Sequence, residues 1–335
     1  MKDKISNIIE IENLTRKFGD FIAVDHICLE IKKGEIFGFL GPNGAGKTTI
    51  TKILCTILNP TSGLVKVCGH NVALERNNVR ECIGIVFQDP CIDKYLTGRE
   101  NLDFHGRLYH MDSRKREERI AEVLDLMDLR GWENIKVEDC SGGIQRRFEV
   151  ARGFMNHPEV LFLDEPTLGL DIQTRRGLWN YIRMLNEREG MTVVLTTHYI
   201  EEADFLCHRV AIINEGKIAA VDTPAKLKEV AGLNLVSLQI AEGLFDGLVN
   251  SLDGLAWVKE IKSHDGLLEL RIEGGEERMP ELVELADECG LDITAIDFHQ
   301  PSLEDAFLCY TGTEIKEGEG RAKEFRMAKM AGRRK

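Results

Sequence analysis

Three short stretches of this sequence carry residue types whose spacing suits phosphate chemistry. Gly41-Pro42-Asn43-Gly44-Ala45-Gly46-Lys47-Thr48 matches the pattern Gly-x-x-x-x-Gly-Lys-Ser/Thr. Glycines let the backbone turn until several N–H groups converge on one anion, and a helix starting there adds its positive dipole end. A polyphosphate is the expected guest, with Lys47 reaching the β- and γ-phosphates and the Thr48 hydroxyl on Mg²⁺. A glycine-rich turn that binds nothing is the bland alternative. The second stretch is an apolar run, 160–163, that ends abruptly in Asp164 and Glu165. Beside a magnesium nucleotide, Asp164 would hold the metal through water and Glu165 would orient the attacking water. The third is the run 192–197, with His198 at its tip. A lone histidine there is usually structural, but at the same sheet edge as Glu165 it suits phosphate sensing.

These groups need a sheet to line them up, and the flanking sequence supplies one. Residues 35–40 read as a buried strand, and Ile50, Ile53, Leu54, Ile57 and Leu58 fall at helical spacing after the loop. Further strands are expected at 8–11, 23–31, 64–68, 83–87, 210–213 and 217–220, punctuated by turns such as Asn59-Pro60-Thr61-Ser62-Gly63. Gln88 lies just past the strand 83–87, at the edge where open α/β folds keep their ligands. Phe18 follows Arg16-Lys17 ahead of the phosphate loop; it can stack on a purine, though such a ring is more often core. From residue 89 onward the composition turns charged and helix-favouring, which reads as a helical insertion, about 89–156, whose ionic run 114–119 is a solvated face. Inside it, Ser141-Gly142-Gly143 precedes an amphipathic helix. That is either an ordinary N-cap or a second exposed helix N-terminus able to offer a hydroxyl and N–H groups to an anion.

The nucleotide-binding domain closes near Pro224 on this reading, giving a first domain 1–224. Beyond it the pattern strand, helix, strand, strand, helix, strand over 235–298 is the ferredoxin-like order, with a hairpin turn at 263–266 and a capping helix at 301–310, in an accessory domain 225–310. No constellation of catalytic residue types stands out there. Residues 311–335 are polar and basic at the end, so they read as a disordered, solvated tail. The 335 residues carry a net charge of −13, which argues weakly against non-specific nucleic-acid binding. Nine scattered cysteines with no Cys-x-x-Cys pair read as reduced thiols, mostly core. No apolar run reaches the ~18 residues of a membrane span, and no signal-peptide segment is seen, so a cytosolic setting is expected.

With these residues in hand, the chain resembles the ATP-binding subunit of an ABC transporter. The phosphate loop, Gln88, Ser141-Gly142-Gly143, Asp164-Glu165, Gly169-Leu170-Asp171 and His198 occur in that family's order over roughly the first two thirds of the sequence. The stretches 96–102 and 301–307 are similar to the drug-exporter branch with ABC-2-type permeases, near the daunorubicin-resistance ATP-binding proteins. The resemblance implies a P-loop NTPase core of α/β class with an antiparallel β subdomain and the helical insertion, plus a small α+β domain. It implies a head-to-tail dimer in which each ATP lies between the phosphate loop of one copy and the Ser141-Gly142-Gly143 tip of the other. Phe18 would stack on adenine; Gly41, Asn43, Gly44, Gly46, Lys47, Thr48 and Thr49 would hold the phosphates; and Asp171 would cross the interface. Thr48, Gln88 and Asp164 would serve Mg²⁺, and Glu165, His198 and Gln88 the hydrolysis. The residues after Gln88 would receive a cytoplasmic helix of the permease, which would hold the subunit at the inner face of the cell membrane. Position 18 is Phe where Tyr is frequent, and Cys140 and Ile144 flank Ser-Gly-Gly where the family often has Leu and Gln.

Two other functions compete. A soluble ABC-type ATPase acting on ribosomes or nucleic acid generally has two cassettes or a long coiled coil, whereas this chain has one phosphate loop, no sustained heptads and an acidic balance. A module that clamps on ATP without turnover is opposed by Glu165 and His198.

Overall fold

Apolar residues at alternate positions build two long strands, β1 (Asn7–Phe18) and β2 (Phe21–Lys32), which pair antiparallel across the turn at Gly19. The structure is a computed structural model that describes residues 7–231, 234–240, 246–264, 267–291 and 293–312. Next come β3 (Ile36–Leu40), buried at all five positions, the phosphate loop and α1 (Lys47–Leu54). The strands β4 (Ser62–Val67) and β5 (His70–Asn71) complete a four-stranded antiparallel sheet in the order β2-β1-β4-β5. The helix α2 (Arg76–Cys82) leads into β6 (Ile83–Val86).

The chain then leaves the sheet for three helices, each started by a side chain that accepts from the exposed first-turn amides. Thr97 forms a capping box on α3 (Gly98–Leu108), Asp112 caps α4 (Ser113–Leu126), and Ser141 caps α5 (Gly142–Phe154). It returns through β7 (Val160–Asp164), α6 (Ile172–Glu189), β8 (Thr192–Thr197), α7 (Ile200–Leu206) and the hairpin β9 (Arg209–Asn214) and β10 (Lys217–Asp222). The main sheet has the order β10-β9-β3-β8-β7-β6 and is parallel except at β10. One buried apolar cluster joins the two sheets around α1, with Ile9, Leu14, Val24 and Ile31 meeting Phe37, Phe39, Ile50, Ile53 and Phe162. Burial of each such side chain contributes roughly 1.5–3 kcal/mol.

By contacts the chain divides at Pro224, with a second unit covering Ala225–Glu314. It holds α8 (Pro224–Ala231) but for its first residue, β11 (Asn234–Ile240), α9 (Asp246–Leu252), β12 (Val258–His264), β13 (Leu267–Ile272), α10 (Met279–Glu288), β14 (Ile293–His299) and α11 (Leu303–Thr311). The sheet order β12-β13-β11-β14, antiparallel throughout, is the ferredoxin-like one. Its core is built from Val236, Leu238, Leu248, Leu252, Leu268, Leu270 and Leu282.

The structure departs from the sequence reading in particular places. The apolar spacing through Leu58 predicts a longer first helix, but α1 stops at Leu54, and the amides of Ile57 and Leu58 both fold back onto the Lys52 carbonyl. Thr56 takes a left-handed φ of 61°, and Pro60 disfavours helical backbone at Asn59, so Ile57 ends up 49% exposed. Only Cys55, Cys140 and Cys207 are buried; Cys28, Cys91 and Cys309 are exposed, so the thiols are not mostly core. The helices α2, α7 and α8 are too short for their periodicity to be read. The expected tail lies outside the described residues from 313 onward, as does part of the turn at 263–266.

Candidate functional site

Parallel strands of matched register end level, and that is what assembles the site. Leu40 of β3 pairs with Thr197 of β8, and Thr196 of β8 pairs with Asp164 of β7, while β6 runs on the far side of β7. The carboxyl ends of four adjacent strands therefore bring the phosphate loop, His198, Asp164-Glu165 and Gln88 to one edge of the sheet.

Within the loop, Gly44 and Gly46 have φ of 84° and 107°, and a Cβ at Gly46 would lie 2.6 Å from the Ala23 carbonyl oxygen. Only glycine fits there without strain. The loop wraps the buried Lys47, whose Nζ donates to the carbonyls of Gly41 (2.7 Å) and Pro42 (3.1 Å) and lies 3.9 Å from Glu165 Oε1. Asn43 and Gly44 are exposed at the tip, and Thr48 and Thr49 are half-buried. The Thr48 hydroxyl donates to Asp164 Oδ1 at 3.3 Å. Burial raises the Asp164 carboxyl above the usual carboxylate range, against the hydrogen bond from Thr196, which lowers it.

Thr196 escaped the sequence reading. Its hydroxyl donates to Asp164 Oδ1 at 2.5 Å and accepts from the Glu165 amide at 3.1 Å. Glu165 adopts a left-handed φ of 46° and is buried, with Oε2 3.1 Å from His198 Nδ1. That approach is off the line of a hydrogen bond, and the histidine nitrogen is otherwise unpartnered among the described residues. Another missed residue is Glu202 on α7. It is fully buried, its carboxyl is raised by burial, and its Oε1 accepts from Thr167 Oγ1 (2.8 Å) and Trp179 Nε1 (2.9 Å) just behind this edge. Two more, Arg146 and Glu149, are buried on α5. No local pattern marks any of the four, because each acts on residues distant in the chain.

The structure thus brings together Lys47, Thr48, Asp164, Glu165 and His198. Of the remaining expected site residues outside the phosphate loop, none has a described hydrogen bond to that group. Gln88 is exposed beyond β6, and Phe18 is 40% exposed with the Arg16 guanidinium 4.5 Å from its ring centroid. Ser141, Gly142 and Asp171 are exposed, and none of the described hydrogen bonds joins them to the phosphate loop. They do share a face with one another. Asp171 caps α6 and accepts from the Thr174 hydroxyl at 2.6 Å, while the Thr174 methyl would be 2.4 Å from a Cβ at Gly143.

Thr48 Oγ1 and Asp164 Oδ1 form a hard-oxygen pair that suits Mg²⁺. Cys68, Cys82 and Glu159 also offer ligand atoms within 4.8 Å of one another, but Lys33 already pairs with Glu159 at 2.9 Å.

The family model described as ABC transporter matches residues 24–168. A daunorubicin resistance ATP-binding protein, DrrA3, of Streptomyces coeruleorubidus is 36% identical over 91% of this chain and 96% of its own length. The linearmycin resistance ATP-binding protein LnrL of Bacillus subtilis is 33% identical over 92% of this chain and 100% of its own. Among solved structures, the dimeric ATP-binding cassette MJ0796 in a post-hydrolysis state with ADP and Pi is 31% identical. Its TM-score is 0.57, and the match covers 64% of this chain and 98% of that one.

Proposed function

The chain belongs to the ABC transporter family, and from that premise we propose that it is the ATP-hydrolysing subunit of an exporter that moves drug-like small molecules through a separate ABC-2-type permease. What carries the reading is the meeting of Lys47, Thr48, Asp164, Glu165 and His198 at one sheet edge. Export of drugs is supported by the resistance functions named for its relatives.

In this proposal the phosphate loop residues Gly41, Asn43, Gly44, Gly46 and Thr49 present backbone amides to the triphosphate, and Lys47 exchanges its carbonyl partners for phosphate oxygens. Phe18 stacks on adenine. Thr48 and Asp164, with Gln88, hold Mg²⁺, which when bound offsets phosphate charge and favours the ionised Asp164. Glu165 aligns the attacking water, and His198 contacts the terminal phosphate. Ser141, Gly142 and Gly143 close on the nucleotide of a second copy, and Asp171 crosses the same interface. The first unit carries all of this; the second is an accessory domain. A docking surface for the permease is offered by Tyr95, Phe104 and Leu108 after Gln88, exposed by 76%, 57% and 58%. The described residues contain no helix long and apolar enough to cross a membrane; in this proposal the permease supplies the attachment to it.

Purifying the chain from native membranes with its bound partner should return an integral membrane protein whose presence stimulates ATP hydrolysis. Recovery of ribosomal protein or RNA instead would refute the assignment. In the purified full chain, Ser141→Trp should spare ATP binding to the monomer and abolish ATP-dependent dimerisation by light scattering. Normal dimerisation would sink the shared-nucleotide arrangement.

A further inference from the structure

The helix that starts at the Ser141-Gly142-Gly143 tip is fastened from one face to two separate parts of the nucleotide edge. Arg146 is buried, and among the described residues its guanidinium donates to backbone carbonyls alone. Nε reaches Pro166 at 2.6 Å, Nη1 reaches Phe87 at 2.9 Å, and Nη2 reaches Glu165 at 3.2 Å and Asp164 at 3.4 Å. One helical turn on, the buried Glu149 takes the amides of Cys91 and Ile92 on Oε1, both at 2.7 Å, and Arg152 on Oε2 at 3.2 Å. Phe87 precedes Gln88 and Cys91 follows it, so the turn bearing Gln88 is pinned at both ends to a single turn of α5. Behind the clamp, helix and sheet are in backbone contact, for a Cβ at Gly84 of β6 would lie 2.0 Å from the Gly153 carbonyl oxygen.

A charge is costly to bury, and strand ends can cap their carbonyls with water. A rigid, planar fork with five donors does something water cannot: it fixes four carbonyls from two chain segments at set distances from one helix. We propose that Arg146 and Glu149 are positioning residues that couple the two nucleotide sites of the dimer. They make the Ser141–Gly143 tip, which serves the partner's nucleotide, move as one body with the Gln88 turn and the Asp164-Glu165 strand end, which serve the chain's own. This rests on the shared-nucleotide reading above.

The test is hydrogen–deuterium exchange on the full chain, too dilute to dimerise, with and without Mg-ATP. In the unaltered protein, nucleotide should slow exchange at 41–48 and, through the clamp, at 89–92 and 142–148. In Arg146→Lys, which keeps the charge but loses the fork, slowing at 41–48 should stay within twofold while slowing at 142–148 falls at least fivefold. Full slowing at 142–148 in that variant would overturn the proposal. So would exchange there that is faster by the same factor with and without ATP, the mark of a merely structural arginine. Should Arg146→Lys not fold, Glu149→Gln, which keeps the acceptor, should behave as the unaltered protein and Glu149→Leu should uncouple; a Glu149→Leu that couples normally refutes the clamp. Absence of slowing at 41–48 in the unaltered chain would strike instead at nucleotide binding itself.

Discussion

Replacing Glu165 by glutamine keeps the shape of the side chain and removes one negative charge from a nearly closed site. The Glu165 and Lys47 side chains are 8% and 4% exposed and 3.9 Å apart. At an effective dielectric near 20, that separation corresponds to about 4 kcal/mol of attraction, most of it offset by the cost of desolvating the pair. Glu165→Gln should therefore change folding stability by no more than ~2 kcal/mol and leave Lys47 with one fewer anionic competitor for phosphate. ATP affinity should hold or rise. Turnover should behave differently, since loss of a positioned base typically costs 10²–10⁴-fold, or ~3–5 kcal/mol of barrier. The assay is steady-state phosphate release from the full chain, paired with light scattering in Mg-ATP. Slow release should come with a persistent dimer. Unchanged turnover would remove Glu165 from the role of water-aligning base, and a folded variant unable to bind ATP would show that the carboxylate serves affinity rather than hydrolysis.

Two further outcomes follow from packing and protonation. Gly84→Ala must push its new methyl against the Gly153 carbonyl, which should cost about 2 kcal/mol and lower Tm by roughly 4–8 °C in a thermal melt; a Tm within a degree of the parent would contradict the close approach. Burial, with Arg152 nearby, depresses the His105 pKa from 6.5 to about 4. The unfolded chain then binds a proton that the folded chain refuses between pH 6.5 and 4, so stability falls as pH drops through that window, by up to ~3 kcal/mol. His105→Gln should flatten this part of the urea-denaturation profile, and an unaltered pH dependence would exclude the histidine as its source.

The phosphate loop, the two carboxylates and the strand-end histidine were legible because each is a local pattern, namely a turn that needs glycine or a charge that interrupts an apolar run. The sheet that aligns them followed from length and apolarity of the strands. Arg146, Glu149, Thr196 and Glu202 were not legible. Apart from the Glu149–Arg152 pair, their partners named above lie between 18 and 59 residues away, and a charged or hydroxyl side chain in an amphipathic segment looks the same whether it meets solvent or a distant carbonyl. The overestimate of α1 has the opposite origin. Ile57 and Leu58 continue the helical spacing, but the left-handed Thr56 and Pro60 turn the backbone away before that spacing can act.

Thr196 deserves a designer's notice, since one hydroxyl contacts both the side chain of Asp164 and the amide of Glu165. A shift of β8 by a few tenths of an ångström would reach both acids at once. Mutant libraries that randomise 164 and 165 alone would leave this shared anchor unchanged, and retuning either acid separately calls for variation at 196 as well.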